Sequence, residues 1–215
     1  MRPTEKQIEA LKEIINIGVG RSAGVLNTML NSHITLNVPY IKLLNPKSLR
    51  GEMGKYHEGI VATVQMGFGG SLVGNACLAF PKVSAAKLVA SLTGEELESS
   101  DADAIQTGTL NEIGNIVLNG VIGSISNMLQ LSLNYKIPIY MEGDIGSIID
   151  SIERNVDGAV DSGGDQSDLA ILLARTRFAI EALATEGDII LFFEVGSFES
   201  LISAIDGIGV DGTWS

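Results

Sequence analysis

Slid against itself by 99 residues, the chain aligns two segments without a gap. LKEIINIGVGRSAGVLNTMLNSHITLNVP, from Leu11 to Pro39, lies over LNEIGNIVLNGVIGSISNMLQLSLNYKIP, from Leu110 to Pro138. Nine of these 29 positions are identical, where ordinary residue usage gives roughly two. The matches include Glu13 with Glu112, Asn16 with Asn115, Gly24 with Gly123, Met29 with Met128 and Pro39 with Pro138. A chain of 215 residues that repeats itself in this way must fold as two like units.

The later parts of the two halves correspond more loosely. GIVATVQM (59–66) and SLVGNACLAF (71–80) read as strands joined by a turn at Gly67-Phe68-Gly69-Gly70. LAILLARTRFAIEAL (169–183) and DIILFFEV (188–195) read as a second hairpin around Glu186-Gly187. Each hairpin runs into a short helix, over 83–92 and 197–205. In the second, Phe198, Leu201, Ile202 and Ile205 form one apolar stripe. The strand before each hairpin is 34–41 or 131–140, and Ile34, Leu36 and Val38 alternate with polar residues, as one buried sheet face requires. Each half therefore reads helix, helix, strand, hairpin, helix, with the helix break at Gly18 and Gly20 in the first. The expectation is a two-layer α/β (α+β) domain over 1–215, pseudo-twofold symmetric, with repeats over about 5–95 and 104–207 sharing one sheet. A lone unit of that size would be marginal. An internal pseudodimer has less reason to dimerise, so a monomer is expected.

Composition narrows the function. A net charge of -12 argues against a nucleic-acid binder, which needs a basic face, and against docking on anionic lipid. Glu5, Glu9 and Glu13 interrupt the N-terminus, so no signal peptide is expected, and no apolar run is long enough to span a membrane. With one cysteine, Cys77, no internal disulfide forms, which favours the cytoplasm. The acidic stretch 93–104 is expected to link the halves or extend a helix end. Segment 157–168 is expected to be a loop, and its Asp157, Asp161 and Asp165 lack the alternation and closing glutamate of an EF-hand. The tail 207–215 reads as loosely ordered.

Among residues that could carry chemistry, the repeated polar pair is the sharpest. Glu13 and Asn16 are three apart on a predicted helix, as are Glu112 and Asn115, so each pair shares a helix face. Both interrupt otherwise apolar stretches at the same place. One copy alone reads as a cap and a solvated carboxylate. Two copies, each with 22 residues between the asparagine and a proline, point to a shared task. An amide both donates and accepts hydrogen bonds and can orient a water. A carboxylate can pair with a basic residue on a partner. Together they suit a helper that positions water in another protein's site, and acyl-phosphate hydrolysis needs little beyond positioning and charge stabilisation. Other candidates are weaker. Gly18-Val19-Gly20-Arg21-Ser22-Ala23 matches GxGxxA but follows a helix where the dinucleotide fingerprint needs a strand. His33 and His57 have no companion ligands, Cys77 reads as inert core, and neither a GxSxG elbow nor a Walker loop occurs.

Glu13-x-x-Asn16 with Pro39, Glu112-x-x-Asn115 with Pro138, and the hairpin-plus-helix tails together resemble the CheC/CheX/FliY family of chemotaxis phosphatases. The likeness extends over nearly the whole chain. It implies dephosphorylation of CheY, the phosphorylated response regulator. Asn16 or Asn115 would enter the regulator's aspartyl-phosphate site and orient water, while Glu13 or Glu112 anchors the complex. No cofactor is expected on this chain, since the Mg2+ belongs to the regulator. The receptor deamidase CheD is a second partner that the resemblance implies. The family pattern places Asp or Ser four residues before the glutamate, where Glu9 and Gly108 stand here. That departure supports an alternative, a non-catalytic regulator-binding module or a flagellar-switch or CheD-regulating adaptor.

Overall fold

The computed structural model describes residues 3–31, 33–54, 59–93, 102–157, 169–180 and 183–209. Its elements are α1 (Glu5–Leu30), β1 (Ile34–Leu44), α2 (Pro46–Gly54), β2 (Ile60–Gly70), β3 (Gly74–Pro81), α3 (Lys82–Thr93), α4 (Ala102–Met128), β4 (Leu133–Tyr135), β5 (Ile139–Asp144), α5 (Ile145–Asp157), β6 (Leu169–Ile180), β7 (Leu183–Glu194) and α6 (Val195–Gly209). Of the acidic stretch 93–104, residues 94–101 lie outside the described residues and the rest ends α3 and begins α4; of the expected loop 157–168, residues 158–168 lie outside them, as do His57 and the tail beyond 209.

Thr4 starts α1 with a capping box: its hydroxyl accepts from the Gln7 N–H at 3.3 Å, and the Gln7 side chain accepts from the Thr4 N–H at 2.7 Å. Asn31 ends it in the left-handed conformation. No break occurs at Gly18 or Gly20, contrary to the sequence expectation. Leu11, Ile14, Ile15, Val19, Ala23 and Leu26 form one buried stripe through both glycines, and one apolar face against a partner holds a helix together across a glycine's cost of about 1 kcal/mol. The second helix of each half instead follows its first strand, as α2 and α5. The order in each half is long helix, extended segment, short helix, hairpin, helix.

All seven strands join one antiparallel sheet in the order β1-β6-β7-β3-β2-β4, with β5 also paired to β2. The halves interlock: β1 pairs with the later hairpin through β6, and β4 and β5 pair with the earlier hairpin through β2. Both hairpins turn elsewhere than the glycines suggest. Gly67 to Gly70 continue β2, and the chain reverses at 71–73, between Gly70 at φ +110° and Gly74. A Cβ on Gly74 would stand 2.2 Å from the Phe192 carbonyl oxygen. Glu186 and Gly187 lie within β7, where Gly187 sits under the Phe80 ring.

The larger core lies between the sheet and α1, α3, α4 and α6, with Val64, Leu78, Phe80, Phe178, Leu191 and Phe193 projecting from the strands. The opposite face carries a smaller core. There Leu49 and Met53 of α2 and Ile148, Ile149 and Ile152 of α5 cover Val61, Cys77, Ile171, Leu173, Ile190 and Phe192. These two short helices add a partial layer behind the mixed helix-and-sheet framework. Arg175 of β6 and Asp188 of β7 form a buried bidentate ion pair at 2.9 and 3.3 Å.

Candidate functional site

The two long helices run antiparallel over the sheet and touch where glycines permit it. A Cβ on Gly18 would lie 2.5 Å from the Gly120 carbonyl oxygen, and one on Gly120 would meet the Ser22 hydroxyl at 2.0 Å. Ser22 sits in this crossing, 3.0 Å from the carbonyl oxygens of both Gly18 and Ile116. Gly114 brings α4 equally close to the sheet, since a Cβ there would be 2.5 Å from Val64. The helical backbone through 18–23 is hydrogen-bonded within α1 and forms no phosphate-binding loop.

Both polar pairs stand on these helices, one on each, with an exposed glutamate and a half-buried asparagine. Their asparagines are used differently. The Asn16 amide donates to the carbonyl oxygens of Lys12 at 3.1 Å and Val38 at 3.0 Å, and its oxygen accepts from the Val38 N–H at 2.8 Å. Val38 needs these bonds. Around Val38 and Pro39 the β1–β6 register slips, so both residues oppose Thr176 alone. Such a bulge leaves backbone groups outside the ladder, and it is where proline, lacking an N–H, is tolerated. Asn16 thus bolts α1 to the bulge in β1, and the fixed interval to Pro39 has a structural cause.

The register slips at the same place in the second copy, between Tyr135 opposite Phe68 and Ile139 opposite Gln65. There the strand parts into β4 and β5, and Ile137, the counterpart of Val38, is 86% exposed. Asn115 makes no bond to Ile137. Its oxygen accepts from the Asn119 amide at 2.6 Å, and among the described residues its own amide hydrogens are not taken up by the protein. Asn119 escaped the sequence reading because its counterpart is Gly20, so comparison of the halves gave it no weight. Its spacing of four from Asn115 was the available signal.

A shallow groove beside the second pair is lined by Arg21, Gly24, Val25, Thr28 and Met29 of α1 with Glu112 and Ile116 of α4. The N-terminal part of α4 is held by a polar cluster. Glu142 of β5 accepts from Lys82 at 2.7 Å, from Tyr140, and from Gln106 of α4 at 3.5 Å. Burial raises the Glu142 carboxyl, and the bonds from Lys82 and Tyr140 outweigh it, leaving the group below its ordinary value. Burial, then the bond to Glu142, push the Tyr140 phenol up. Cys77 is fully buried and its thiol is pushed up by that burial and by Asp188, which makes it unreactive core. His33 is exposed. Among the described residues no cluster of histidine, cysteine and carboxylate groups could hold a metal, and no helix is long and apolar enough to cross a membrane.

The family model described as chemotaxis phosphatase CheX matches residues 62–155, a span that contains Glu112 and Asn115 but neither Glu13 nor Asn16. The CheY-P phosphatase CheC of Bacillus subtilis (strain 168) is 28% identical over 148 residues, 67% of this chain and 70% of that protein. The crystal structure of Thermotoga maritima FliY matches 97% of this chain and 100% of its own, with a TM-score of 0.69 at 18% identity. The FliM middle domain from H. pylori covers 94% of this chain and 99% of its own, with a TM-score of 0.61 at 12% identity.

Proposed function

We propose that the chain, which is similar to the chemotaxis phosphatases CheX and CheC, hydrolyses the aspartyl phosphate of CheY, with the pair on α4 as the working site. The observation that carries this is the difference between the asparagines. Asn16 has its amide and its oxygen bound to backbone. Asn115 has its oxygen held by Asn119, and its amide has no protein partner among the described residues.

In this mechanism α4 docks over the phosphorylated receiver and Asn115 enters its site. The Asn115 amide holds a water in line with phosphorus. The water oxygen bonds to phosphorus, the bond from phosphorus to the aspartyl oxygen breaks, and aspartate carboxylate and inorganic phosphate leave. Glu112, exposed one turn away, pairs with a basic group of the receiver and fixes the approach. The Mg2+ expected in the receiver's site supplies charge stabilisation, so this chain needs no metal of its own. Asn16 acts through the fold, by holding α1 on β1. The activity belongs in the cytoplasm, on a monomer. CheD, implied by the family resemblance, is a second partner, and co-purification of the two proteins tests it.

A second reading has the chain bind the receiver, or take a place in a flagellar switch, without hydrolysis. Gly108, where the family pattern has Asp or Ser, favours it. Decay of phospho-CheY with and without the native chain decides between the two. A shortened phosphate lifetime supports hydrolysis. Binding that leaves the lifetime unchanged supports the second reading.

A further inference from the structure

Because α1 and α4 run antiparallel, the C-terminal part of α1 borders the polar pair of α4. Arg21, Val25, Thr28 and Met29 of α1 face Glu112 and Ile116 across the groove. The positions 99 residues on are Gly120, Ser124, Asn127 and Met128. These two sets differ in kind. Val25 and Met29 are 53% and 46% exposed, whereas Ser124 is buried and Met128 packs on the core. The α4 pair therefore has beside it two large apolar side chains four residues apart on one helix face, ending in an exposed guanidinium. The repeat-related positions of α4 hold a glycine, a buried hydroxyl and an exposed asparagine.

Scattered apolar side chains on a surface need no explanation, but these two adjoin a carboxylate of the candidate site. The groove, about 640 Å3, is shallow and open. That shape suits side chains projecting from a folded partner, since small-molecule sites enclose their ligands. Charge points the same way. A chain of net charge -12 repels an anionic partner, and a receiver carrying an aspartyl phosphate is anionic at its docking face. Arg21 forms no ion pair among the described residues and offers local positive charge at the groove.

We propose that Arg21, Val25 and Met29 of α1 are the docking strip for the phosphorylated receiver at the α4 site, so that one repeat supplies the reacting pair and the other selects the partner. This rests on the reading of Glu112 and Asn115 as the working pair. The test is titration calorimetry of the full chain with the CheY of the same organism, loaded with beryllofluoride and Mg2+ as a stable phosphate mimic. Val25→Ser with Met29→Ser, and separately Thr28→Glu, raise Kd about tenfold, or 1.4 kcal/mol. Asn127→Glu, the same charge at the position related to Thr28, leaves Kd within about twofold. With phospho-CheY, the serine pair raises KM by its Kd factor while kcat holds. Unchanged Kd in the serine pair and in Thr28→Glu overturns the strip, as does a loss confined to kcat. Sedimentation showing a dimer of this chain that the serine pair dissociates assigns the strip to a second copy and also overturns it. Failure of the site reading shows separately, as full hydrolysis by Asn115→Ala, whatever the calorimetry gives.

Discussion

Alanine at the two motif asparagines should separate a structural amide from a functional one. Asn16→Ala removes three hydrogen bonds, of 3.1, 3.0 and 2.8 Å. The Lys12 carbonyl keeps its place in α1. The Val38 N–H and C=O lose their partner at a bulge where the sheet ladder does not supply another. Leaving a buried backbone group unpaired costs about 1–3 kcal/mol. The half-buried setting of Asn16 puts each at the low end, so about 2 kcal/mol is lost. Alanine returns about 0.5 kcal/mol through its better helix propensity. The net is about 1.5 kcal/mol, and for a domain of this size that lowers Tm by about 3–6 °C. Asn115→Ala loses one bond to Asn119, on the half-exposed side of α4. That bond is worth about 0.5 kcal/mol and the helix propensity offsets it, so Tm stays within about 1 °C. Thermal and urea unfolding followed by circular dichroism measure both. Equal shifts in the two variants, or a neutral Asn16→Ala, would refute the argument that only Asn16 is committed to the fold.

Asn119→Ala frees the Asn115 oxygen, and hydrolysis should fall about tenfold in kcat with KM little changed, because the amide is less well held; an unchanged kcat refutes the positioning role. Gly120→Ala forces a Cβ to 2.0 Å from the Ser22 hydroxyl and 2.8 Å from the Gly18 carbonyl oxygen, so it should cost about 1–3 kcal/mol by overpacking and lower Tm, whereas Gly24→Ala, with open space around it, should stabilise α1 by about 0.5–1 kcal/mol. The Glu142 carboxyl is held low and the Lys82 ammonium is held high. Their contribution is thus present between the two ranges, lost as pH falls through the carboxylate range and lost again as it rises through the lysine range. The Tm gap between native chain and Glu142→Gln should be constant near neutrality and close as pH falls through and below the ordinary carboxylate range; a gap that persists in acid refutes the pairing.

The sequence match at an offset of 99 residues made much of this fold readable. Glu13, Asn16 and Pro39 stood out because 99 residues on the same types recur. The strand 34–41, with Ile34, Leu36 and Val38 inward, and the last helix, with Phe198, Leu201, Ile202 and Ile205 buried, follow from periodicity alone. Glycine misled where it was read as punctuation. Gly18 is a contact point between helices, Gly67 to Gly70 lie in a strand, and Gly187 makes room for Phe80. Each is a demand of tertiary packing that no local pattern records. Comparing the halves also hid what differs between them. Asn119 opposes Gly20, Val25 opposes Ser124 and Arg21 opposes Gly120, so the features that set the two sites apart fall where the repeat is silent. Nor could spacing reveal that Asn16 grips Val38 while Ile137 stands clear of Asn115.

The most direct test of the unequal pairs is the kcat for phospho-CheY of Asn115→Ala beside that of Asn16→Ala, measured well below the melting temperature of both. Loss of a water-positioning group costs about 10²-fold or more. Asn115→Ala should lose that much while remaining folded, and Asn16→Ala should keep a kcat within a few-fold of native. Comparable losses in both variants, or a larger loss in Asn16→Ala while it is still folded, would contradict the assignment of the chemistry to α4.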